Sequence, residues 1–178
     1  MKTSAYSISL TVLAVLVTGC DAGRLGPAAP GSGELRAAVG LADSWSFTLT
    51  RPNSAVNPSS GDIFEATGSG SFDPAARTIV ASGSFTHTTT TGAVVARGTW
   101  TAAAFGNFLP FGGPNPGTQG GVLDITVTLS PAGDSPSSGV PMRVTCRVFA
   151  PPGFPGEEGT TVGVFTQSTG GATLFHMN

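Results

Sequence analysis

From Trp45 onward the chain is a succession of short runs in which apolar and hydroxyl-bearing side chains alternate. Ile79, Ala81, Gly83, Phe85 and His87 fall on one face of a run, and Val80, Ser82, Ser84 and Thr86 on the other. After Thr91-Gly92, the residues Val94, Ala96, Gly98, Trp100 and Ala102 alternate with Val95, Arg97, Thr99 and Thr101. A period of two, enriched in Thr, Val and aromatic residues and broken at Asp73-Pro74 and Thr91-Gly92, predicts an antiparallel meander over residues 68–103.

The same alternation recurs on both sides. Trp45, Phe47 and Leu49 predict a first strand ending at Arg51-Pro52-Asn53, and a second begins near Asp62 and runs into the Gly-Ser repeat at 68–71. Glycines inside a strand mark a bend or a close approach. Residues 105–120 read as a long Gly/Pro loop that nevertheless holds Phe105, Phe108, Leu109 and Phe111. Leu123, Ile125, Val127 and Leu129 give the clearest strand, and Met142, Val144, Cys146 and Val148 the next. A loop at 151–159 sets Phe154 among prolines, and short runs at 162–166 and 173–176 finish the chain. Eight strands and no convincing helix predict an all-β fold. An antiparallel eight-stranded barrel removes exposed edges, and a two-sheet β-sandwich is the alternative.

Composition narrows the function classes. Gly 26 and Pro 14 in 178 residues are rich for a globular chain but short of low complexity. Lys2 is the only lysine, and seven arginines face ten acids after Cys20. No broad basic footprint exists, which argues against nucleic-acid binding.

The amino terminus changes the picture most. Lys2 precedes the apolar run ISLTVLAVLV at residues 8–17, which ends at Thr18-Gly19-Cys20. About ten apolar residues are too few to cross a bilayer, which needs roughly 20, so the run reads as a signal-peptide core. Val17-Thr18-Gly19-Cys20 resembles the lipobox of bacterial lipoprotein precursors. The resemblance implies cleavage before Cys20, a diacylglyceryl group on its sulfur, and acylation of the new amino group. Two or three acyl chains anchor a protein stably. The organisation expected is a signal peptide at 1–19, a lipidated flexible tether at 20–40 rich in Gly, Pro, Ala and Ser, and a single all-β domain at 41–178. The resemblance places that domain on the extracytoplasmic side of the bacterial cell envelope, membrane-bound through the lipid.

Candidate chemistry is sparse. There are two histidines, His87 and His176, and no HExxH, CxxC or GxSxG spacing, so no metal, cofactor or catalytic residue is nominated. Cys146 is in phase with Met142, Val144 and Val148 and reads as a small core residue. The Gly98-Thr99-Trp100 segment and the glycine-broken hairpins resemble calycin-type barrels such as lipocalins, streptavidin and allene oxide cyclases. No motif of those families is matched residue by residue, so none of their binding residues is carried over. A barrel cavity lined by Trp45, Phe85 and Trp100, with Glu65 and His87 as polar groups, would bind a small apolar or sugar-like ligand. A filled interior would instead make the chain a structural or interaction module of the envelope, with Phe108 and Phe111 touching a partner or the membrane. The third reading, a barrel-cavity cyclase or isomerase, needs a polar cluster buried beside His87.

Overall fold

The computed structural model describes residues 44–178. The lipobox-like residues 17–20 and the tether through residue 40 lie outside them. Eight strands follow in order: β1 (Trp45–Val56), β2 (Ile63–Asp73), β3 (Thr78–Thr88), β4 (Val94–Asn115), β5 (Thr118–Pro131), β6 (Ser137–Cys146), β7 (Gly159–Val162) and β8 (Gln167–Met177). Each strand from β1 to β6 pairs antiparallel with the next. β8 returns to β1 and touches β5 at Gln119–Phe175. The fold is all-β, with eight antiparallel strands in one hydrogen-bonded sheet.

Two stretches depart from the simple alternation. The first strand does not end at Arg51-Pro52. It continues to Val56 across a bulge, where the register with β2 shifts between Leu49 and Asn53. Proline has no N–H to give a ladder, so a bulge is where it is tolerated. The bulge turns Asn53 inward to 1% exposure. There Asn53 Nδ2 donates to the carbonyls of Arg51 at 2.9 Å and Ala172 at 3.4 Å, while Oδ1 accepts from Thr173 Oγ1.

The second departure is larger. Residues 105–115 are not a loop: β4 runs 22 residues without a break and pairs with β5 nearly to its tip. Register shifts between Ala102 and Ala104 and between Phe105 and Asn107 reset the phase. Strict alternation would put Phe105 on the face opposite Trp100. The bulges bring Trp100 and Phe105 into the core and pack Phe108 against it. At the other boundaries, β6 stops at Cys146 rather than Val148, β7 precedes the run expected at 162–166, and β8 starts six residues earlier than the alternation at 173–176 suggests.

One apolar cluster fills the inward face, with Phe47, Leu123, Val127, Val144 and Phe175 among its fully buried members. Its middle is organised by Trp100, which is 1% exposed. Gly68 and Gly83 are cross-strand partners on β2 and β3, and Gly83 also faces Trp100 on β4. The indole occupies the room those glycines leave: a Cβ on either would stand 2.5 Å from a ring atom. Its Nε1–H donates to the Thr67 carbonyl at 2.9 Å, so the one polar atom of the ring is satisfied inside the core.

β7 and β8 share no ladder, and side chains bridge the gap instead. Glu158 accepts the Arg147 N–H at 2.5 Å with one carboxylate oxygen and the Thr173 N–H at 3.0 Å with the other. Ser168 Oγ donates to the Glu158 carbonyl at 2.6 Å. A single acidic residue thus ties the end of β6 to β8.

The glycine seat gives a direct test. Gly83→Ala forces the indole and the Thr67 carbonyl to move, and thermal or urea unfolding is expected to show a loss of about 1–3 kcal/mol, the range for overpacked cores. An unchanged unfolding midpoint would refute the steric account.

Candidate functional site

The five residues expected to line a cavity do not converge. Trp45 sits near one end, stacked on Phe72 with centroids 6.4 Å apart and tilted against Phe108 at 4.8 Å. Trp100 lies in the middle, locked as described above. Phe85 is buried and stacks on Phe64 at 5.1 Å. His87 stands toward the opposite end, its ring edge-on to Phe165 at 5.1 Å and its Nε2 3.3 Å from Asp62 Oδ2. Glu65 is on the other face of the sheet: it is opposite Thr86, while its neighbour Phe64 is opposite His87. Glu65 is exposed and accepts a hydrogen bond from Ser54 Oγ at 3.3 Å.

The polar surroundings of His87 amount to Asp62 alone among the contacts found, and its side chain is 23% exposed. Among the described residues, no three His, Cys, Asp or Glu side chains converge as metal ligands would. Cys146 is a free, fully buried thiol. Burial raises its pKa, partly offset by a backbone hydrogen bond with Val148, and the charge of Glu158 acts in the same direction as burial. A thiol held protonated in this way is not a nucleophile at neutral pH.

Phe108 and Phe111 part company. Phe108 points inward and packs on Trp45, Phe72 and Phe175 at 4.8, 4.9 and 5.2 Å, closing one end of the core. Phe111 faces outward, edge-on to Phe154 at 4.8 Å. The bulges in β4 make that division, and alternation read without them does not show it.

The concave features lie on the outside. An open depression of about 400 Å³ is bounded by Gly106, Asp124, Ile125, Thr126, Pro141, Met142, Arg143, Thr161 and Gly163. Two smaller ones, about 290 and 180 Å³, share Arg143 as a wall. Arg143 forks onto Asp124, Nε–Oδ1 at 2.7 Å and Nη2–Oδ2 at 3.1 Å. The hydrogen bond that Arg143 donates to Asp124 raises the guanidinium pKa above its ordinary value. Both partners are solvent-exposed, at 59% and 37%, so the pair adds at most about 1 kcal/mol to stability. It presents a neutralised, hydrogen-bonding surface among threonines.

A separate apolar recess of about 250 Å³ is lined by Trp45, Pro74, Ala75, Phe108 and Pro110. Leu109, 51% exposed, lines the depression of about 180 Å³ beside Asp124 and Arg143, and Phe149 is 52% exposed. Phe149 has φ +59, in the left-handed region that bulky side chains avoid. No protein-family model, curated protein or solved structure matches this chain.

Two outcomes follow from this geometry. The Cys146 thiol should resist a water-soluble disulfide reagent in the folded protein and react fully in denaturant; labelling at the same rate in both states would contradict its burial. Because the folded thiol holds its proton where the unfolded one loses it, stability from this group is complete at neutral pH. It declines as pH rises past the ordinary thiol value, which unfolding titrations in alkaline buffer will show. Glu158→Ala removes the acceptor of the half-buried Thr173 N–H and frees the exposed Arg147 N–H to water, and a loss of about 1 kcal/mol is expected from urea unfolding. Faster amide exchange at Thr173 than at Phe47 would mark the same seam.

Proposed function

We propose that this chain is the precursor of a bacterial lipoprotein, acylated at Cys20, whose β domain is a non-catalytic interaction module held at the extracytoplasmic face of the cell envelope. The lipobox-like ending of the apolar run supports the anchor. What carries the interaction reading is the interior. Trp100, Phe47, Leu123, Val127 and Phe175 occupy the space a carried ligand needs, and the Trp100 N–H that would address such a ligand is already bonded to Thr67. His87 has one carboxylate beside it rather than a buried polar cluster, which weighs against the cyclase or isomerase reading.

In this reading the domain is a closed antiparallel barrel. The return of β8 to β1 and the long β4–β5 ladder support closure, because they leave few strand edges unpaired. With a packed core, recognition falls to the outer surface and the connecting loops.

Mass spectrometry of the mature amino terminus tests the anchor: a diacylated or triacylated Cys20 is expected, and Cys20→Ser should move the protein from the membrane to the soluble fraction. An unacylated mature terminus at another residue would refute it. For the packed interior, tryptophan emission is expected to stay unchanged across a panel of small apolar and sugar-like ligands. Saturable quenching that Trp100→Phe abolishes would restore the ligand-carrier reading.

A further inference from the structure

In an antiparallel meander every second connection returns to the same end. Here that end collects the start of β1, the β2–β3 turn, the β4–β5 hairpin tip, the β6–β7 connection and the finish of β8. The geometry ties them together. Asn178 N–H donates to the Ser44 carbonyl at 2.8 Å, and Met177 N–H to the Pro116 carbonyl at 2.9 Å. Trp45 shares its recess with Pro74, Ala75 and Pro110. The β6–β7 connection leaves from Cys146, which is opposite Gly121, and the Val148 carbonyl lies against Gly120 near the hairpin tip.

Two stretches at this end are without charge: the last residues of β4 with the hairpin tip, Leu-Pro-Phe-Gly-Gly-Pro-Asn-Pro-Gly at 109–117, and Val-Phe-Ala-Pro-Pro-Gly-Phe-Pro-Gly at 148–156 in the β6–β7 connection. They expose Leu109, Val148 and Phe149. The bordering charges are already engaged. Asp73 caps the Ala76 N–H at 2.8 Å, Arg77 donates to the Gly106 carbonyl and lies over Phe105, and Arg147 pairs with Glu157 at 3.5 Å. The opposite end differs. Its connections carry Asn57, Ser59, Ser60, Asp62, a run of threonines at 88–91, and Asp134. Other exposed valines, Val80, Val94, Val95 and Val164, lie away from the two uncharged stretches.

We propose that this end of the domain rests on the lipid bilayer, with Leu109, Val148 and Phe149 entering the headgroup and upper acyl region. Three observations select a membrane over another occupant. The described residues begin at Ser44 on this end, so a chain anchored at Cys20, with 23 residues between, joins the domain from this side. Two separate, charge-free, proline-rich stretches sit side by side, joined by the Phe111–Phe154 contact at 4.8 Å. Phe149 sits in the left-handed region at the turn closed by the Ala150 N–H on the Arg147 carbonyl, and its ring is half exposed there. The absence of a basic cluster fits a zwitterionic surface as well as an anionic one. The proposal rests on the lipoprotein reading for its orientation, and the polar end then faces away from the membrane.

The test uses the mature protein in phosphatidylcholine vesicles whose acyl chains carry bromine, a quencher of indole emission. Phe149→Trp reports from the proposed tip and Val164→Trp from the β7–β8 turn at the far end, each compared with the wild-type signal from Trp45 and Trp100. Strong added quenching for Phe149→Trp and none for Val164→Trp is expected. Equal quenching at both positions, or none at either, overturns the proposal. Leu109→Ser with Phe149→Ser, at unchanged circular dichroism, should weaken vesicle association of the Cys20→Ser mature chain by roughly tenfold per side chain, the scale of burying part of a large apolar group. If mass spectrometry finds no acyl group, the anchor reading fails by itself. The face then stands if the unacylated chain, which fractionates as soluble, binds excess vesicles weakly in a Phe149-dependent way, and falls if it does not. A dimer by light scattering that shields Phe149→Trp from the brominated lipid assigns the face to a second copy, and that too overturns the proposal.

Discussion

A single indole sets the thickness of this protein. Trp100 needs β2 and β3 to approach without side chains at Gly68 and Gly83, and it needs the Thr67 carbonyl to take its N–H. With those three conditions met, one of the chain's two tryptophans is fully buried and its polar atom is paired. A buried unpaired donor costs about 1–3 kcal/mol, and a core with a displaced tryptophan loses more through the cavity it leaves. The ring seats on the unbroken β2–β3 ladder, which runs from Ile63–Thr88 to Asp73–Thr78, and among the described residues Cys146 is a free thiol.

Around that seat the sheet solves two problems with irregular backbone. β1 passes Pro52 by bulging, and the bulge turns Asn53 into the β1–β8 seam where its amide is satisfied. β4 bulges repeatedly, which lets one long strand deliver Trp100, Phe105 and Phe108 to the same apolar cluster. Where strand pairing stops, between β7 and β8, Glu158 supplies the missing acceptors to two backbone N–H groups. Each device keeps buried backbone groups paired, the condition a sheet must meet at every point where its ladder is interrupted.

The resulting body is chemically plain inside and uneven outside. Among the described residues its interior holds no cluster of titratable side chains, and its two ends differ in how much apolar side chain they expose. One end carries hydroxyls, Asp62 and Asp134, and the other carries Trp45, Leu109, Phe149 and prolines beside the entry of the chain. On the proposed anchoring, that asymmetry gives the domain a preferred way up, with the hydroxyl-rich end and the Arg143-lined flank turned away from the membrane.

Much of this was written in the alternation alone. Period two assigns the inward set Trp45, Phe47, Leu49, Phe85, Trp100, Leu123, Ile125, Val127, Met142, Val144 and Cys146 because pleating sorts side chains by parity without reference to any distant residue. The turns at Asp73-Pro74 and Thr91-Gly92, the all-β class and the strand number follow from the same local rule. What alternation missed depends on partners far along the chain. A bulge reverses parity and is stable only where the adjoining ladder accepts it, so residues 105–115 read as a loop until β5 is placed beside them. Glu158 looks like a solvated acid until Arg147 and Thr173 are brought to it from 11 and 15 residues away. The uncharged stretches at 109–117 and 148–156 were each visible as Gly/Pro loops, but only the antiparallel direction of the strands between them put both at one end.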